Sequence, residues 1–140
     1  MRIFKWGCLI SIMLIFLVIG GIYFFEKHLL TSLDDKVKNP SKGEYMILNH
    51  DKYVDDYTES IQAAEKKYQG KVVEITGFVK EIGTLSIELE GSKSIQVLMQ
   101  QNIQLSPIKV GDMITIRGID GGYDKEKDQI MIAMGMIVRK

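Results

Sequence analysis

The chain reads as mainly β: a small closed barrel of five strands, preceded by an amphipathic helix and, at the N-terminus, by an apolar helix of transmembrane length. Three observations predict this. Residues 6–25 carry no charged side chain. Residues 51–68 place apolar side chains at steps of three and four. Beyond residue 70 the apolar period falls to two, in five runs separated by turn residues.

The first segment, WGCLISIMLIFLVIGGIYFF, holds about 20 residues, which at roughly 1.5 Å each cross a hydrocarbon core of about 30 Å. A cleaved secretory signal has a shorter apolar core of about 7–15 residues and ends in a small-x-small site. Here Val18 and Ile19 stand two positions before Gly20 and Gly21, so that pattern is missing. A lipoprotein needs its acylated cysteine after the apolar run, whereas Cys8 lies at its start. The segment therefore reads as an uncleaved single-pass anchor. Arg2 and Lys5 precede it, and the charges that follow nearly cancel, which puts the N-terminus in the cytoplasm and the rest outside the cell membrane. Trp6 and Tyr23 sit near the two ends, where aromatic rings favour the headgroup region.

Residues 26–50 sustain no apolar period and contain Asn39, Pro40, Ser41 and Gly43, the composition of a linker, into which the apolar helix can continue to about Leu33. The next segment carries Val54, Tyr57, Ile61, Ala64 and Tyr68 on one helical face. Its other face begins acidic and ends basic, which suits the helix dipole, and Gly70 is a stop signal. This stripe is expected to pack on the barrel, so that Ile61→Asp destabilises the domain. The expected divisions are thus 1–5 cytoplasmic, 6–25 anchor, 26–50 linker and 51–140 helix plus barrel.

Val73, Ile75, Gly77 and Val79 form the inward positions of the first strand, with Glu74, Thr76 and Lys80 between them. Leu85, Ile87 and Leu89 alternate with Ser86, Glu88 and Glu90 in the second, and Ile95, Val97 and Met99 mark the third. These three make a meander. Residues 101–110 are irregular and contain Pro107. A fourth strand follows Gly111 and Asp112, with Ile114 and Ile116 facing one way and Thr115 and Arg117 the other, and closes at Gly118. The loop IDGGYDKEKD leads to a fifth strand over residues 129–138. Five strands with one irregular connector between the third and fourth match a Greek-key barrel of the OB type, whose closure removes exposed edges. A five-stranded open sheet and an SH3-like barrel are the competing architectures.

The run AAEKKYQGKVVEITGFV over residues 63–79, then VGDMITIRG over 110–118 and Gly122-Tyr123, resembles the tRNA-anti-like OB-fold family. The resemblance covers about residues 54–138. It implies a short helix joined to an OB barrel behind a signal, lipoprotein or membrane segment, and it implies no particular activity. Members often carry cysteines in the third and last strands, where this chain has Met99 and Met134. The single cysteine excludes an intramolecular disulfide and a zinc site needing two thiolates.

Little supports catalysis. His28 and His50 lie near the apolar run and in the linker, and no serine or cysteine has the surroundings of a nucleophile. Asp120, Asp124, Glu126 and Asp128 offer calcium-type oxygen ligands, but Lys125 and Lys127 interleave them, and a solvated loop is favoured. Met131, Met134 and Met136 read as core filler and not as a soft-metal site. Neither a metal nor a cofactor is expected.

The binding residues expected on the barrel are Phe78, Arg117 and Tyr123, although Phe78 also reads as cover under the helix and Tyr123 as a loop anchor. The chain as a whole balances 18 bases against 18 acids, and residues 69–140 balance nine against nine. No basic stripe offers itself to phosphate. Nucleic acid is therefore expected to be an unlikely partner. The function expected is a non-catalytic, membrane-anchored extracytoplasmic OB module engaging a protein or an envelope glycan. Its alternatives are an oligonucleotide-binding OB domain and a structural subunit of a membrane complex.

Overall fold

The computed structural model describes the backbone of residues 2–140 and the side chains of residues 13–140. Expectations resting on Met1 and on the side chains of Arg2, Lys5, Trp6 and Cys8 lie outside the described residues. The chain divides into two compact units, Met1–Leu33 and Asp34–Lys140.

Helix α1, Arg2–Lys38, supplies the first unit as far as Leu33, and its last turn belongs to the second. Its stretch Met13–Lys38 is long and apolar enough to cross a membrane. The second unit is built from β1 (Tyr45–Leu48), α2 (His50–Glu59), α3 (Ile61–Tyr68), β2 (Val72–Ile82), β3 (Ser86–Leu89), β4 (Ser94–Met99), β5 (Met113–Asp124) and β6 (Gln129–Arg139).

The strands β2-β3-β4-β6-β5 close on themselves through the β2–β5 pairing. The β4–β6 pair is parallel while β2–β3, β3–β4 and β5–β6 are antiparallel. This is the closed five-stranded barrel predicted by the alternating strands. Its interior holds Val73, Ile75, Val79, Ile87, Leu89, Ile95, Val97, Ile114, Ile116, Ile130 and Ile132, each at most 2% exposed. Met134 bends β6 with a φ of 55°, a conformation that L-residues rarely adopt. There β4 and β6 slip register between Val97 and Met99, and Gly135 comes so close to Val97 that a Cβ would collide with it.

Three features differ from the sequence reading. A strand, β1, emerges from the presumed linker and runs parallel to β2 from Tyr45↔Val72 to Leu48↔Ile75. The helix is two helices. Ser60 takes extended angles (φ −157°, ψ 103°), ends α2 by donating its N–H to Asp56 O, and caps α3 by accepting from Ala63 N. Finally, β5 continues six residues past Gly118, because the glycines beyond it sit at register slips against β6 and not in a turn.

The break at Ser60 also changes the buried stripe. Tyr53, Val54 and Tyr57 of α2 and Ala64 and Tyr68 of α3 join the barrel core, whereas Ile61, first in α3, stays half-buried. Tyr53, fully buried, takes the place expected of Ile61.

Candidate functional site

The two helices are fixed to the barrel by one carboxylate. Asp120 on β5 is 1% exposed. It accepts hydrogen bonds from the Tyr53 hydroxyl, from the Tyr57 hydroxyl at 2.9 and 3.0 Å and from Gly122 N at 2.8 Å. Gly122 presents that N–H with a φ of +87°, which favours glycine. Burial pushes the Asp120 carboxyl up, with the tyrosine and backbone donors opposing it. Burial together with the Asp120 charge holds both tyrosine hydroxyls protonated far above their ordinary range. Around this centre Tyr53 meets Tyr57 and Tyr68 edge to face, with ring centres 5.4 and 5.1 Å apart. Such a box stabilises packing. Asp120 is therefore not one of four solvated loop carboxylates. Asp124 accepts from Glu126 N and Lys127 N, Asp128 pairs with Lys93, and among the described residues no cluster suits a metal.

The three residues expected to bind lie apart along the barrel. Tyr123 stacks on Tyr57 at 6.3 Å, lies under the Lys93 ammonium and shares a hydrogen-bonded group with Lys93 and Asp128. Arg117 forms a largely buried ion pair with its cross-strand partner Glu74, at 2.9 Å. The same guanidinium donates to Val37 O and lies over the Tyr45 ring.

Phe78 is different. It is left 52% exposed and not buried under α2 and α3. It lies opposite Met113 on β5, itself 58% exposed. Both line an open groove of about 430 Å³ with His50, Asp51, Thr76 and Glu90. Gly77 and Gly91 allow His50 to fit: a Cβ on either would stand 3.1 or 3.3 Å from the imidazole. The sequence shows that Phe78 points outward. Its neighbours, drawn from α2, the β3–β4 turn and β5, are set by barrel closure.

Three lysines of the α2 and barrel surface are held in ion pairs. Lys80 pairs with Glu88 at 2.7 Å, Lys93 with Asp128 at 2.7 Å and Lys52 with Asp56 at 3.1 Å. The groove thus provides an aromatic face, a thioether and two carboxylates.

The tRNA_anti-like family model matches residues 1–134. No curated protein sequence matches the chain. Among solved structures the chain is similar to a candidate nucleic acid-binding lipoprotein from Klebsiella pneumoniae, with 12% identity, 72% of this chain and 98% of that chain covered, and a TM-score of 0.58. Weaker matches are the telomere capping protein Ten1 from Saccharomyces pombe (10% identity, 67% and 79% covered, TM-score 0.36) and U. maydis Replication protein A bound to ssDNA (13%, 54% and 66%, TM-score 0.35). The expectation that nucleic acid is an unlikely partner does not stand beside the fold shared with the candidate nucleic acid-binding lipoprotein. It rests on the balanced charge, with no basic stripe, and on the expected place outside the cytoplasm. A balanced charge removes long-range attraction to phosphate and leaves base stacking untouched.

Proposed function

This chain belongs to the tRNA-anti-like family, and we propose that it is a membrane-anchored OB module that holds single-stranded nucleic acid outside the cytoplasmic membrane. The exposed Phe78 ring, set in a groove beside Met113, carries this reading. Bases stack on such a ring whatever their sequence. The fold shared with a candidate nucleic acid-binding lipoprotein supports it. The apolar stretch of α1 supports the anchor, and Arg2 and Lys5 before it support the orientation. No catalytic step is proposed.

Because the groove is lined, among the described residues, by no lysine or arginine, stacking carries more of the binding than phosphate contact does. Full-length protein in nanodiscs of uncharged lipid is expected to raise the anisotropy of a fluorescein-labelled dT 12-mer. Phe78→Ala should weaken this on the order of tenfold, the value of one stacked base. The slope of log K against log salt should stay shallower than about −1, since each phosphate contact to a single strand contributes roughly −0.7. A steep slope together with indifference to Phe78→Ala would place the strand elsewhere on the surface. Protease added to spheroplasts should remove the barrel, and protection would reverse the orientation.

A further inference from the structure

The groove beside Phe78 has a chemistry that distinguishes one base from another. Phe78 and Glu90 are neighbours across β2 and the end of β3: Glu90 N donates to Phe78 O at 2.9 Å. The adjacent pair Val79↔Leu89 is fully buried, so Phe78 and Glu90 both stand on the outer face. Glu90 is exposed, and among the described residues its carboxylate makes no hydrogen bond and no ion pair; the one basic side chain whose charge it is shown to reach, Lys80, is paired with Glu88. That sets it apart from Glu74 and Glu88, which are held by Arg117 and Lys80.

The other polar groups of the groove are less available. The Thr76 hydroxyl is engaged with that of Thr115 at 2.8 Å. His50 Nδ1 is engaged with Asp51 at 3.1 Å, and His50 Nε2 is buried without a partner. The lining contains, among the described residues, no lysine or arginine. A phosphate placed here would meet Asp51 and Glu90 and be repelled. A base lying flat on Phe78 would instead turn its edge towards a free carboxylate.

Such a carboxylate offers two acceptor oxygens side by side and no donor. Guanine is the base whose pairing edge presents two adjacent donors, N1–H and N2–H, at matching separation. Cytosine and adenine present one amine next to a ring-nitrogen acceptor. Thymine and uracil present one N–H between two carbonyl oxygens, which a carboxylate repels. We infer that the Phe78 groove selects guanine, with Glu90 accepting both hydrogen bonds from its pairing edge while the ring stacks on Phe78. The inference rests on the stacking reading above and adds the determinant of base preference.

The test uses full-length protein in uncharged nanodiscs and labelled 12-mers in which every second dT is replaced by dG, deoxyinosine, dA or dC. A bidentate contact discriminates on the order of tenfold per site. With half the positions substituted, the dG strand should bind about fivefold tighter than dT alone. Deoxyinosine, which keeps N1–H and lacks the N2 amine, should fall between them. Glu90→Gln should bring the dG-to-dT ratio within about twofold, since an amide offers one acceptor and one donor. Equal binding of all strands by the parent protein, with Phe78→Ala still weakening each, would overturn the guanine assignment and leave stacking in place. A dG preference that survives Glu90→Gln would overturn the role of Glu90. Absence of binding to every strand, or binding indifferent to Phe78→Ala, would remove both readings.

Discussion

Replacing Asp120 by alanine is expected to loosen the two helices from the barrel. The parent carboxylate satisfies the hydroxyls of Tyr53 and Tyr57, both fully buried, and the N–H of Gly122. Each buried donor left without a partner costs about 1–3 kcal/mol. The two tyrosines together thus lose about 2–6 kcal/mol. Removal of a buried charge offsets part of this, because Asp120 is itself disfavoured by burial. A net loss of about 2–4 kcal/mol follows, a large share of the 5–15 kcal/mol typical of a domain. Urea titration of the full-length protein in detergent micelles, followed by far-ultraviolet circular dichroism, measures it. The same substitution in a Tyr53→Phe, Tyr57→Phe background leaves no hydroxyl stranded and should cost clearly less than the separate effects combined. An Asp120→Ala midpoint within about 0.5 kcal/mol of the parent, with additive behaviour in the triple variant, would refute the view that this carboxylate fastens the helices.

Acidification should destabilise the domain below about pH 4, the ordinary carboxylate pKa. Lys67 and Tyr68 hold Asp56 down, Lys80 holds Glu88 down, and the Lys109 N–H and Lys140 hold Asp112 down. Stabilisation from lowered groups is present above the unfolded pKa and fades as pH falls through the folded one. Asp120, shifted upward, runs the other way and loses stability as pH rises; Asp56→Asn should flatten the acid limb in melts across pH 2–6. At Met134, where φ is 55°, glycine should be more stable than alanine by about 1 kcal/mol in matched thermal melts, because both remove the side chain and only glycine relieves the backbone. Gly118→Ala should cost about 2–3 kcal/mol in the same melts, since its Cβ would strike the Ile132 side chain and lie 2.8 Å from Ala133 O.

The barrel is legible because inward and outward residues alternate cleanly in β3 and β4, and because apolar Ile114 and Ile116 alternate with Thr115 and Arg117 in β5, even though Thr115 too is buried. What alternation does not carry is pairing at a distance. The four residues of β1, Tyr-Met-Ile-Leu, have no period of their own and become a strand only beside β2. The glycines from 118 to 122 read as a turn, yet they continue β5 through close contact with β6. A helix break at one serine is nearly silent in an apolar stripe, so spacing alone points to Ile61 and passes over Tyr53. A buried acid such as Asp120 has the same letter as a solvated one. At the groove, the outward phase of β2 pointed to Phe78, whereas its grouping with Glu90 and His50 required three distant segments to meet.

The parallel β1–β2 junction also bears on mechanical load. Tension travelling along the chain from the N-terminal side reaches the barrel first at Val37, whose carbonyl Arg117 holds, and then at Tyr45, whose ring lies under the same guanidinium. Behind these points β1 is paired with β2 from Tyr45 to Leu48. Force along the axis of β1 shears those pairings together, whereas force across it would peel them one after another. Tension entering from the N-terminal side is thus resisted by a guanidinium latch and a short shear joint before the closed barrel is strained.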